Sequence, residues 1–235
     1  MCGRFLLTAP VEAVQRLFGF PELPNLTARY NVAPGQAVAA MRPEADRQRH
    51  FVWLRWGLVP SWSRPDRPVT PLINARAETV AEKPSFRAAF RARRCVVFAD
   101  GFYEWRQDGN RQPYCVRLTD GGPFAFAALW EEAFAQAAPA DEGVAGTCAL
   151  ITTGANARMA EVHHRMPVIL SPESLGRWLD PASRPEDLLA LLRPLPEEAV
   201  TLTPVSKRVN SVENDDADLL DEERLPEAPS QLKLF

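Results

Sequence analysis

The sequence predicts an α+β fold, a largely antiparallel, barrel-like β-sheet core flanked by short helices. Two observations lead there. Strand-patterned segments dominate the middle of the chain, and short helix-period segments stand before and after them. No internal repeat interrupts this order, and 235 residues with 46% hydrophobic and 24% charged content are ample for one large globular core.

Taken in order, an N-terminal strand is followed by Thr8, placed to cap a helix with Pro10 in its first turn. Val11, Val14, Leu17 and Phe18 fall on one face of that helix. Residues 21–36 read as loop, because Pro21, Pro24, Pro34 and Gly35 punctuate them. Residues 37–41 and 50–58 alternate as a strand pair around the polar turn 43–49, and a Pro-rich loop over 59–71 carries Trp62. A short basic helix is expected at 84–93. Strands follow at 94–106 and 112–118, joined through the turn signal Asp108-Gly109-Asn110. A further strand runs through 123–130, and the Ala/Glu-rich stretch 131–146 reads as a surface insertion. Strand 147–153 leads through a helical segment to His163-His164 and a short strand at 167–170. Helices are expected at 172–179, with Ser171 as N-cap and Pro172 behind it, and at 185–193; a strand at 199–205 closes the domain. The domain is expected to span 1–212. Residues 213–229 are acidic, polar and poor in apolar residues, which predicts a flexible tail over 213–235.

Composition narrows the function. No apolar run approaches a membrane span, and Arg4, Glu12 and Arg16 break the place where a signal peptide would carry its apolar core, so a cytosolic protein is expected. Cys2, Cys95, Cys115 and Cys148 show neither C-x-x-C spacing nor metal-ligand pairing with the histidines; no metal, cofactor or disulfide framework is expected. The last three lie in apolar strands and read as small buried hydrophobes. Charge is asymmetric: residues 1–113 carry 17 basic against 10 acidic side chains, and residues 114–235 carry 10 against 20. Almost all the basic residues are arginine, a mild pointer to phosphate.

Cys2 has the setting of a reactive residue. Removal of Met1 leaves it with an α-amine and a thiol on adjacent carbons, with ordinary pKa values of roughly 8 and 8.5. Such a 1,2-aminothiol suits attack on an acyl carbon, or capture of an aldehyde as an imine followed by ring closure through sulfur. Arg4 is near enough in sequence to lower the thiol pKa or hold an anion. Taken alone, position 2 is better explained by a cysteine merely buried in an ordinary N-terminal strand.

Six blocks change that balance: Cys2-Gly3-Arg4-Phe5, Arg29–Gly35, Trp56–Trp62, Asn74–Thr79, Phe98–Trp105 and His163–Pro167. Together and in this order the chain resembles the SOS-response-associated peptidase family. The resemblance implies one α+β domain that binds single-stranded DNA and captures abasic sites covalently through Cys2, as a thiazolidine of its amine and thiol. It implies Glu104 as acid/base, His163 as the partner that opens the sugar ring, with His164 beside it as the competing ring, and Asn74 in a hydrogen bond to the reacting sugar or adduct. Arg4 and Arg76 are expected on flanking phosphates, Asn31 and Arg165 with them on the DNA-binding side, and Trp62 on a base. The protein is expected to act as a monomer. An N-terminal-nucleophile cysteine (auto)peptidase using Cys2, His163 and Glu104 is the alternative, and a non-catalytic reader of modified bases is a third class.

The chain ends Gln231-Leu232-Lys233-Leu234-Phe235, which resembles the Gln-Leu-x-Leu-Phe peptide that docks on bacterial sliding clamps. Gln231, Leu232, Leu234 and Phe235 are the expected contacts. Folding back of this tail as an edge strand is the plainer alternative.

Overall fold

The computed structural model describes residues 2–64, 70–132 and 143–225. Its centre is a closed ring of five strands. Strand β3 (Ala37–Pro43) forms an antiparallel hairpin with β4 (Arg49–Trp56), and on its other side meets β6 (Arg94–Ala99). Strand β6 pairs with β9 (Phe124–Glu132), and β9 pairs with β10 (Val144–Gly154). Strand β10 then runs parallel to β4, which closes the ring. Closure needs a close approach at Gly146: a Cβ there would stand 2.4 Å from the Glu131 carbonyl oxygen, so only glycine admits the β9–β10 pairing.

Alternate residues along these strands divide between two cores. One parity, including Met41, Val96, Phe98, Ala127 and Ile151, packs with α1 (Val11–Phe18), α2 (Arg87–Ala92), α4 (Pro172–Leu179) and α5 (Pro185–Leu191). The other, including Ala40, Leu54, Trp56, Val97, Phe126 and Leu150, packs with Cys2, Phe5 and Phe102. Phe5 sets its ring 5.2 Å from Trp56 and 5.7 Å from Phe126, and so anchors the N-terminus on the ring of strands.

A second sheet carries that N-terminus. Strand β1 (Phe5–Leu7) lies between β2 (Arg29–Val32) and β7 (Gly101–Trp105); β8 (Pro113–Leu118) and β13 (Val200–Pro204) extend the sheet beyond β7. The chain passes from one sheet to the other at Asp100, so the strand expected over 94–106 is two strands. The buried Asp100 carboxylate accepts hydrogen bonds from the Thr8 hydroxyl at 2.6 Å and the Thr8 N–H at 3.0 Å. Thr8 is therefore a brace between the sheets and not the cap of α1; Pro10 holds the cap position and makes no side-chain bond there.

Further differences concern non-local pairing. Residues 29–32, expected as loop, form β2, because β1 supplies a partner that the local sequence does not announce. Asn74–Arg76 forms β5, parallel to β10. Two short strands, β11 (Arg165–Pro167) and β12 (Ile169–Leu170), stand where one was expected. The sheet is otherwise antiparallel, as predicted. Residues 213–225, expected as the start of a flexible tail, pack onto the domain: Leu219 is buried, Glu222 bridges Val205, and Asp215 bonds to β2. The short carboxylates and amides of this stretch find backbone partners, which composition does not reveal. Most of the expected insertion at 131–146, and the tail peptide Gln231–Phe235, lie outside the described residues. No helix among the described residues is long and apolar enough to cross a membrane.

Candidate active site at the N-terminus

Three elements converge on residues 2–4. Strand β7 reaches them first, with the Tyr103 N–H donating to the Arg4 carbonyl at 2.9 Å, which brings Glu104 beside the start of the chain. Strand β5 contributes Asn74, whose Nδ2 donates to the Cys2 carbonyl at 2.8 Å. The third element is the loop after α3 (Ala157–Ala160), a single turn capped by Asn156 through the Met159 N–H at 2.8 Å. That loop presents His163, and the Gln107 N–H ties it to the β7–β8 hairpin through the Val162 carbonyl at 3.1 Å.

Burial decides the electrostatics. Cys2 is fully enclosed, and burial pushes its thiol up; the Glu104 carboxylate pushes the same way, while the terminal ammonium and the Arg4 backbone N–H favour the thiolate. The sequence had offered the Arg4 guanidinium for that lowering; the structure gives this part to the Arg4 main chain. Glu104 is 2% exposed, and burial raises its carboxyl to about 7 against the pull of the terminal ammonium. His163 is held below the usual imidazole range, first by burial and then by the same ammonium. Its Nδ1 lies 3.0 Å from the Arg165 N–H and 3.1 Å from the Arg165 carbonyl, so Nδ1 is turned to the backbone. His164 stacks on it at 4.5 Å but is exposed, with Nδ1 on Gln107 at 3.1 Å. Of the two rings, His163 lines the cavity that Glu104 also lines. The Asn74 Oδ1 atom is buried and has no hydrogen-bond partner among the described residues, an acceptor left for a hydroxyl or amine.

The residues expected to meet DNA separate into two groups. Arg76 and Trp62 are exposed, Trp62 to 55%. Arg4, Asn31 and Arg165 are engaged within the protein. Arg4 Nη1 donates to Asn31 Oδ1 at 2.7 Å and to the Val209 carbonyl at 2.8 Å. Asn31 is wholly buried, and its Nδ2 faces the carbonyls of Val209, Ser211 and Asn214; a side chain so enclosed braces Arg4. Arg165 pairs bidentately with Glu78 at 2.5 and 3.0 Å and donates to the Thr152 carbonyl at 2.6 Å.

Two cavities of about 490 Å³ each adjoin the terminus. One is lined by Gly3, Arg4, Trp105, Asn110, Arg111, Lys207 and Asn210. The other holds Glu104, His163, Arg106, Gln107 and Asp108, and shares Trp105 and Arg111 with the first, so the two adjoin in a groove whose walls carry more basic than acidic side chains. Sequence reasoning missed Trp105, Arg106, Arg111 and Lys207. Trp105 alone carried a signal, as the neighbour of Glu104 in a quoted block. Among the described residues no group of His, Cys, Asp or Glu is assembled to hold a metal.

Residues 1–212 match the family model described as SOS response associated peptidase (SRAP). The chain belongs to the SRAP family. It is 38% identical to the abasic site processing protein YoaM of Bacillus subtilis over 231 residues, covering 95% of this chain and 99% of YoaM. It is 33% identical to the abasic site processing protein YedK of Escherichia coli over 229 residues, or 94% and 99% of the two chains. The abasic site processing protein HMCES of Gallus gallus matches 74% of this SRAP chain at 34% identity, and 57% of its own length. Among solved structures, a protein from Bacteroides thetaiotaomicron superposes with a TM-score of 0.81 at 26% identity, covering 95% of this chain and all (100%) of that one. A phage-related protein from Bordetella bronchiseptica gives 0.69 at 32% identity, covering 88% and 95%.

Proposed function

We propose that this SRAP chain binds single-stranded DNA and captures abasic sites as a thiazolidine on Cys2, shielding the lesion during repair. The observation that carries the reading is the convergence on Cys2 of a buried carboxyl near neutrality, Glu104, and the unpartnered acceptor of Asn74. An abasic deoxyribose opens to an aldehyde at C1′, and His163 assists that opening. The Cys2 amine, freed by removal of Met1, adds to C1′ to give a carbinolamine. Glu104 in its neutral form protonates the departing hydroxyl, and one water leaves with formation of the imine. The thiol then adds across the C=N bond, sulfur to C1′ and proton to nitrogen. A thiol kept neutral by burial carries the proton this last step requires. Reversal returns the same water and again uses Glu104.

The groove beside the terminus suits a strand carrying phosphates, with Arg106, Arg111 and Lys207 on its rim and Arg76 and Trp62 exposed to meet a backbone and a base. The (auto)peptidase alternative asks for a thiolate poised for acyl transfer, and burial opposes one at Cys2. The tail peptide, on its sequence, is proposed to tether the protein to the sliding clamp. The test of the main reading is incubation with a single-stranded oligonucleotide holding one abasic site: a denaturation-resistant shifted band is expected from wild type and not from Cys2→Ala. No band from wild type, or a band from the variant, refutes it.

A further inference from the structure

Behind the reactive terminus lies a stretch of chain that continues past residue 212, where the family match ends. Asp215 is at its centre. Its carboxylate accepts from the Tyr30 N–H at 2.5 Å, the Asn31 N–H at 3.0 Å and Arg29 Nε at 2.5 Å. One residue earlier, the Asn214 carbonyl accepts from Asn31 Nδ2 at 2.7 Å, beside the Ser211 carbonyl at 2.9 Å. These bonds use the Asn31 N–H and its amide NH₂, and so fix which way the amide faces. Its Oδ1 is left for Arg4 Nη1 at 2.7 Å. The same guanidinium donates to the carbonyls of Val209 and Asn210, at 2.8 and 3.3 Å, within a 3₁₀ turn over 207–210. Arg4 is thus held at its side chain by this strap and at its carbonyl by β7. Two residues upstream is Cys2.

The geometry points to Asp215 as a positioning residue for the Cys2 chemistry: the strap over 206–216 orients Asn31, Asn31 orients Arg4, and Arg4 sets the approach of residues 2–3 to Glu104. A carboxylate that accepts two backbone N–H groups and an arginine is a strong fixture. If it is lost, the Asn31 backbone and amide gain freedom, and the error passes along hydrogen bonds to the nucleophile. Displacements of order 1 Å at reacting atoms are enough to slow a reaction strongly while the fold and the binding groove persist.

This inference rests on the reading of Cys2 as the nucleophile, and the experiment separates the two. Adduct formation is followed in single turnover at saturating abasic single-stranded oligonucleotide, for the full chain, Asp215→Ala, Asp215→Asn and a chain ending at Leu225. Affinity for the undamaged oligonucleotide and the thermal midpoint are measured alongside. Asp215→Ala is expected to slow the saturating rate about tenfold while affinity stays within about twofold. Asp215→Asn keeps an acceptor for Tyr30 and Asn31 and is expected to restore most of the rate; the chain ending at Leu225 should react as wild type. The inference is overturned if Asp215→Ala reacts at the wild-type rate, or if rate, affinity and midpoint fall together and Asp215→Asn restores none of them. No adduct from wild type defeats the reading of Cys2 itself, and the inference with it.

Discussion

Burying Glu104 has a consequence that can be measured apart from any reaction. Its carboxyl stands near 7 in the folded chain, above its ordinary 4.5, so between those values the folded protein holds a proton that the unfolded chain has released. The sign follows: stability from the neutral carboxyl is full below the unfolded value and is lost as pH rises through the folded one, a loss of roughly 3 kcal/mol. Glu104→Gln keeps the shape and removes the ionisation. Urea denaturation should find the variant more stable than wild type at pH 8 and close to it at pH 4; an identical pH response in the two proteins would refute the buried, raised carboxyl. The same substitution should slow both formation and reversal of the adduct, and reversal at the wild-type rate would remove Glu104 from the mechanism. A site that spends stability to hold a carboxyl near neutrality is what proton transfer at physiological pH requires.

Closure of the barrel depends on one contact between two elements. Strand β10 approaches β9 so closely at Gly146 that an added Cβ meets the Glu131 carbonyl at 2.4 Å. Gly146→Ala must push the two strands apart, at a cost of about 1–3 kcal/mol. The check is the urea midpoint, and an unchanged midpoint would mean that the ring tolerates opening there. This contact also shows where the sequence stops being readable. Periodicity revealed β3, β4, β8 and the helices from α4 onward, because their apolar spacing is local. It did not reveal β2 or β5, which exist only because β1 and β10 lie beside them, nor the break at Asp100, where both flanks continue to read as strand. For the site the division is similar. Cys2, Asn74, Glu104 and His163 were named through their blocks, and the structure brings them to one place. Asn31 and Arg165 belong to the same blocks, but their side chains face inward, and no sequence pattern separates a bracing arginine from one that meets a phosphate.

For the molecule as a whole, the reactive end and the tail are separate devices on one chain. Residues 213–223 pack onto the domain, so the stretch expected to open the tail is part of the fold. Residues Gln231–Phe235 are proposed as a clamp tether, which would raise the local concentration of Cys2 near single-stranded gaps. Purified sliding clamp should bind the full chain and not a chain ending at Ser230. Equal binding by both, or none by either, removes the tether. The truncated chain should still react with abasic oligonucleotide in isolation, because the residues gathered around Cys2 all precede residue 226.

The most direct test of the account is the intact mass of the protein after reaction, without reductant, with a single-stranded oligonucleotide carrying one abasic site. One adduct per chain is expected, equal to the sum of the two masses less one water. Peptide mapping should place it on a Cys2 that lacks Met1 and no longer takes up a thiol-alkylating reagent. An adduct retained by Cys2→Ala, one that leaves the Cys2 thiol open to alkylation, or no adduct at all would contradict capture of the aldehyde by both nucleophiles of that residue.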